Sequence, residues 1–111
     1  MFLAFYSKTR GAARELARSL PKDLPPKLLQ SSGKVLSANR ITTILERRYA
    51  LAQDFGRENK LGLIGRAVYA NTFRWTLLEL GYSKQFTSVA TEGLVVALSR
   101  RNGKLSSEQT K

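Results

Sequence analysis

KLGLIGRAVYANTFRWTLLELGYSKQFTSVATEGLVVALSRR, residues 60–101, is the stretch on whose reading the fold turns. Leu61, Leu63 and Gly65 alternate with Gly62, Ile64 and Arg66, and two closely spaced glycines disfavour a helix by about 1 kcal/mol each. The stretch from Leu61 to Arg66 therefore reads as a short strand. From Ala67 to Leu80 the period becomes helical: Tyr69, Phe73, Leu77 and Leu80 share a face, and Gly81 stops the helix. Trp75 and Leu78 point the other way, so both sides of this helix want cover. Ser83 caps a last helix that runs to about Arg101. Phe86, Val89, Ala90, Gly93, Leu94 and Ala97 form one of its faces, and Val95, Val96 and Leu98 make it apolar nearly all round. Such a helix belongs at a centre. Those six residues are the expected core of a homodimer, with Gly93 open to a second backbone.

The order strand, helix, short turn, helix resembles the ribbon-helix-helix family of DNA-binding proteins. Gly81, Tyr82 and Ser83 match that family's Gly-apolar-Ser turn. Val89, Ala90, Glu92, Gly93 and Leu94 match its second helix, and Leu80, Leu77, Phe73, Ala70 and Tyr69 keep the phase of its first. The resemblance sets the strand at Lys60 to Gly65 and implies a dimer whose paired strands enter the major groove, with Leu61 and Leu63 facing in and Lys60, Gly62 and Ile64 facing the bases. The family carries polar or basic residues at those outward positions. Lys60 fits, Gly62 offers no side chain, and Ile64 reaches only a thymine methyl. Arg66, two residues on, stands as a substitute.

Upstream, Ile41, Ile44, Leu45, Ala52 and Phe55 place a helix over 39–55, with Gly56 as its stop. It is available to cover the Trp75 and Leu78 side. Arg48 lies in the middle of its apolar face. Its head either escapes to water or pairs with a carboxylate of another helix, Glu79 or Glu92, because an unpaired buried guanidinium costs too much. A further helix starts near Thr9, with Ala13, Leu16, Ala17 and Leu20 as a narrow apolar stripe, and Pro21 ends it. Arg10, Arg14 and Arg18 recur every four residues along one side. The segment 21–38, with its prolines, serines and glycine, is the natural division of the chain. The expected organisation is a basic N-terminal arm, helix and linker over 1–38, a dimerisation and DNA-binding domain over 39–102, and a disordered polar tail over 103–111. Residues 1–7, MFLAFYS, read as a strand or packed arm. The fold class is thus mainly α, a dimeric ribbon-helix-helix core with an N-terminal helical extension.

The chain of 111 residues carries 19 Lys and Arg against 8 Asp and Glu, a formal charge of +11. A folded body with such a field points to a polyanion. It has no Cys and no His, which removes disulfides, thiolate or imidazole metal ligation and cysteine or histidine catalysis. No nucleophile–base pair or phosphate-cradling glycine loop is present, so no enzymatic activity, cofactor or metal is expected. No apolar run is long enough to span a bilayer. Absence of cysteine suits a reducing compartment, and the expected location is cytoplasmic, on the bacterial nucleoid for a regulator.

The expected function is a sequence-specific regulator of transcription that binds double-stranded DNA as a homodimer. Lys60, Gly62, Ile64 and Arg66 would read bases. The amides around Ser83 and Lys84 would hold a phosphate at a helix N-terminus, and Arg57, Arg47, Arg10, Arg14 and Arg18 would add phosphate attraction. A helix-turn-helix around Gly81 is disfavoured because LVVAL leaves few groups to read bases. The alternatives are a helical RNA-binding or ribonucleoprotein component, for which only Tyr6 and Tyr82 look free to stack, and a basic structural subunit that binds another protein through its N-terminal region.

Overall fold

The computed structural model describes residues 6–30 and 38–100. The chain forms α1 (Ser7–Asp23), α2 (Pro26–Gln30), α3 (Ala38–Glu58), α4 (Leu63–Glu79) and α5 (Lys84–Ser99), and there is no strand among the described residues. Residues 1–5 of the expected arm, part of the linker and the tail 103–111 lie outside the described residues.

Four long helices close one core. α1 packs most extensively on α4, α4 on α5, and α3 on α5, with a smaller contact between α1 and α3. Paired ends fix the directions. Tyr6 approaches Gly65 at the start of α4, and the Tyr82 hydroxyl donates to the Leu24 carbonyl beyond the far ends of α1 and α4, so these two helices run the same way. The Tyr49 hydroxyl donates to the Ala90 carbonyl at 2.7 Å and Gln53 Nε2 to the Ala97 carbonyl at 2.8 Å, so α3 and α5 run together. The short turn at Leu80–Ser83 sets α5 antiparallel to α4. Tyr69, Phe73, Leu77, Leu20, Leu24 and Leu94 are among the buried side chains at the centre.

The expected ribbon is absent, and the backbone shows why. α3 passes through Gly56 and ends two residues later. Leu61 N–H then bonds to the Gly56 carbonyl at 3.0 Å and Lys60 N–H to the Arg57 carbonyl at 3.3 Å. This is a Schellman closure. It puts Lys60 in the left-handed region, φ +48°, which no strand residue adopts. Gly62 is the N-cap of α4, so its low helix propensity is not spent inside the helix. Gly65 is inside, but an added Cβ there would lie 2.9 Å from Leu61 Cδ2. Leu61 folds over the glycine, and this packing outweighs the roughly 1 kcal/mol propensity loss. The same closure recurs at the end of α4, where Tyr82 N–H bonds to the Leu77 carbonyl, Gly81 N–H to that of Leu78, and Gly81 takes φ +100°. The stop at Gly81 and the cap at Ser83 stand as expected.

Three packing expectations change. Pro21 does not end α1, which continues to Asp23. The ring removes one N–H from the ladder and crowds the Ala17 carbonyl, and burial of Leu20 and Leu24 on either side of it outweighs that cost. The proline-containing segment does not divide two cores either, since Ala13, Leu16, Ala17, Leu20 and Leu24 share one cluster with Tyr69, Phe73 and Leu77. The cover on α4 comes from α1 rather than from α3, and it lies on the side of Tyr69 and Phe73. Trp75 remains 53% exposed.

Candidate nucleic-acid interface

Arg10, Arg14, Arg18 and Lys22 form one i, i+4 row on α1, opposite or beside its buried stripe of Thr9, Ala13, Leu16, Ala17 and Leu20. Successive members are about 6 Å apart along the axis. Arg18 and Lys22 are exposed and Arg14 is half-buried. None of Arg14, Arg18 and Lys22 takes part in an ion pair among the described residues.

α1 carries two carboxylates, the exposed Glu15 between Arg14 and Arg18, and Asp23, which is engaged by Arg48. Arg48 is 9% exposed. Its Nε donates to Ser19 Oγ at 3.0 Å, and its Nη2 donates to the Ser19 carbonyl at 2.8 Å and to Asp23 Oδ2 at 3.0 Å. The sequence reading offered escape of the head to water or pairing with a carboxylate of another helix. The structure supplies Asp23 of α1 in place of Glu79 or Glu92. With Asp23 held by Arg48, the row of Arg14, Arg18 and Lys22 faces only Glu15 on its own helix and keeps a net positive charge.

Ser83 and Lys84 join this end of the molecule. Ser83 Oγ accepts from Phe86 N–H at 3.1 Å and caps α5, and Lys84 is exposed. The Tyr82–Leu24 hydrogen bond and the approach of Gly81 to Pro26 tie this turn to the C-terminal end of α1. The dipole of α5 therefore points its positive end toward the same end as Lys22. Arg47, exposed on α3, sits next in sequence to the Arg48 that touches Ser19.

The other expected residues fall elsewhere. Lys60 is in the Schellman turn, Gly62 is a cap, and Ile64 and Arg66 lie in the first turn of α4. They are not a base-reading surface of alternating strand residues, and they sit roughly 25 Å, the length of α4, from Ser83. Arg57 is paired with Asp54. Tyr82 is 4% exposed and hydrogen-bonded, so it is not free to stack on a base. Among the described residues the exposed aromatic is Trp75, with Arg74 5.1 Å from its ring centre.

The expected dimer core is largely consumed within one chain. Ala90, Leu94 and Ala97 are buried in the monomer and Phe86 is half-buried, while Val89 is 60% exposed. Gly93 faces Tyr49 of the same chain: an added Cβ would meet the Tyr49 hydroxyl oxygen at 2.4 Å. A groove of about 500 Å³ runs between α3 and α5, lined by Glu46, Tyr49, Val89, Gly93, Val96 and Arg100 among others. Its Tyr49 and Gln53 donors are spent on the α5 backbone. Burial, with a smaller contribution from Glu46, pushes the Tyr49 phenol up to about 12, so it is a neutral structural group. No group of three Asp, Glu, His or Cys able to hold a metal occurs among the described residues, and no helix there is long and apolar enough to cross a membrane. Comparisons with protein-family models, curated proteins and solved structures find no match.

Proposed function

We propose that this protein binds double-stranded DNA along its phosphate backbone, as the DNA-contacting part of a homodimeric regulator. The observation that carries the reading is the α1 row of Arg14, Arg18 and Lys22, unpaired among the described residues, at the end of the molecule that also holds Lys84. The helix fixes the backbone spacing of the cations before binding, so only their side-chain freedom is lost on contact. Each phosphate neutralised releases counterions, which gives the affinity a steep salt dependence. Backbone contacts of this kind position a protein on DNA, and groove contacts specify sequence. With the ribbon gone, any base contact must come from a residue bordering the α1 row.

The test is binding of the full chain to duplex DNA, single-stranded DNA and RNA of matched length at several salt concentrations. Arg14→Ala with Arg18→Ala should weaken duplex binding and flatten the slope of log K against log salt by up to about two units. Lys60→Ala with Arg66→Ala, at the opposite end, should change the slope less. Equal losses from the two pairs would refute the α1 interface. Preference for RNA or single strands over the duplex would refute duplex DNA as the ligand and favour stacking on Trp75.

A further inference from the structure

α4 carries a second apolar face that the other described residues leave largely exposed. Its inward face is Tyr69, Ala70, Phe73 and Leu77. Its outward stripe is Ile64, Ala67, Val68, Asn71, Trp75 and Leu78, with Leu63 at the start. Leu63 is 76% exposed, Ile64 54% and Trp75 53%. The spacing is symmetric about Asn71. Ala67 and Trp75 stand four residues to either side, and Ile64 and Leu78 seven to either side.

We propose that two copies of this chain pair through the outward face of α4, antiparallel, with the twofold axis at Asn71. That arrangement sets the small Ala67 against the large Trp75 of the second copy, Ile64 against its Leu78, and Val68 against the aliphatic stem of its Arg74. Asn71 meets Asn71. A carboxamide both donates and accepts, and a single polar residue in an apolar helix seam fixes register. Charge selects this face over the alternative. Two chains of +11 repel, and they approach best where the contact carries no charge. The central α4 stripe has none, and Arg74 at its flank lies over its own Trp75 ring. On the outward face of α5 the residue between Val89, Val95 and Val96 is Glu92, which a twofold axis would set against itself. Exposed Trp75 alone contributes about 100 Å² per copy. The whole stripe on both copies removes on the order of 1,000 Å², the lower bound of specific interfaces.

The homodimer belongs to the function proposed above and the face is added here; the test uses no DNA, so its outcome is independent of DNA binding. Light scattering of the full chain at tens of micromolar should give twice 12.4 kDa. Asn71 is exposed, so Asn71→Glu and Asn71→Lys leave the monomer core intact, which circular dichroism checks. Each alone should associate at least about tenfold more weakly, because like charges then face each other. Mixed in equal amounts, the two should pair again, since opposite charges meet at the axis. Trp75 is the single tryptophan, so its emission should move to the blue in the mixture relative to either variant alone. Val96→Glu, on α5, should leave the mass at twice the monomer. A wild-type monomer, a dimeric Asn71→Glu chain, no recovery on mixing, or a monomeric Val96→Glu chain would each overturn the proposal.

Discussion

Gly93→Ala is the sharpest probe of how α3 seats on α5. The ideal Cβ at position 93 lies 2.4 Å from Tyr49 Oη, 2.8 Å from Cζ and 2.9 Å from Cε2. Non-bonded carbons settle near 3.5–4.0 Å, about 1 Å further out, so the ring must withdraw. Withdrawal breaks the 2.7 Å hydrogen bond from the Tyr49 hydroxyl to the Ala90 carbonyl, worth about 0.5–1.5 kcal/mol. Overpacking adds about 1–3 kcal/mol. Against this stands a gain of about 1 kcal/mol from replacing a mid-helix glycine by alanine. The net expectation is a loss of about 1–3 kcal/mol, read as a lower urea midpoint at unchanged slope. The control is the same change in a Tyr49→Leu background. With the ring gone only the propensity gain remains, and Gly93→Ala should turn neutral or stabilising, a coupling of at least about 1 kcal/mol between the two sites. A Gly93→Ala protein as stable as the wild type would refute the seating of Tyr49 on Gly93. So would an equal loss in both backgrounds.

Arg48→Ala should cost about 2–3 kcal/mol in urea unfolding, because it removes the buried stem and leaves the Ser19 carbonyl without its charged donor. Asp23→Ala should cost under about 1 kcal/mol, since Asp23 is 52% exposed and water replaces its partner. Burial holds the Tyr49 and Tyr69 phenols protonated up to about 12, against 10.0 for an ordinary tyrosine, and pushes Tyr82 up as well. The unfolded chain therefore releases phenolic protons first. Their contribution to stability is fully present below pH 10 and is lost as pH rises from about 10 through about 12. Thermal melts across that window should show the decline, shallower in Tyr49→Phe; an equal decline in both would refute the assignment for Tyr49. Deleting residues 1–24 should abolish cooperative unfolding, because it removes Leu16, Leu20 and Leu24 from the core, each worth about 1.5–3 kcal/mol against a total of about 5–15. A folded truncated protein would show that α1 is dispensable.

How far the sequence alone reaches is clearest at particular residues. The apolar periods of α1, α3, α4 and α5 place Leu16, Leu20, Ile44, Leu45, Phe73, Leu77 and Leu94 in the core, and all are buried. Periodicity is a local property, and it is written in the chain. Ser83 as a cap and Gly81 as a stop are local too, since each needs only its own backbone and its neighbours within five residues. The cationic row at four-residue spacing on α1 is likewise a consequence of helix geometry. Net charge and the absence of Cys and His bound the chemistry before any fold is known.

Tertiary structure decided the rest. LGLIGR scores as a strand by propensity, yet Leu61 filling the space over Gly65 makes it a helix start. The start of α1 then seats on the same glycine through Tyr6, a contact that exists only once α1 is packed on α4. The partner of Arg48 could not be chosen from sequence, because Asp23, Glu79 and Glu92 are equivalent until α1 is seated beside α3. Gly93 announced a close approach, but not whose: the group that needs the space is Tyr49, far away in the chain and adjacent in the fold. An apolar face states that it wants cover and leaves the cover unnamed. Covering surface is non-directional in its energy, so only the packed arrangement could give α4 its inward face on α1 and leave Trp75 outside.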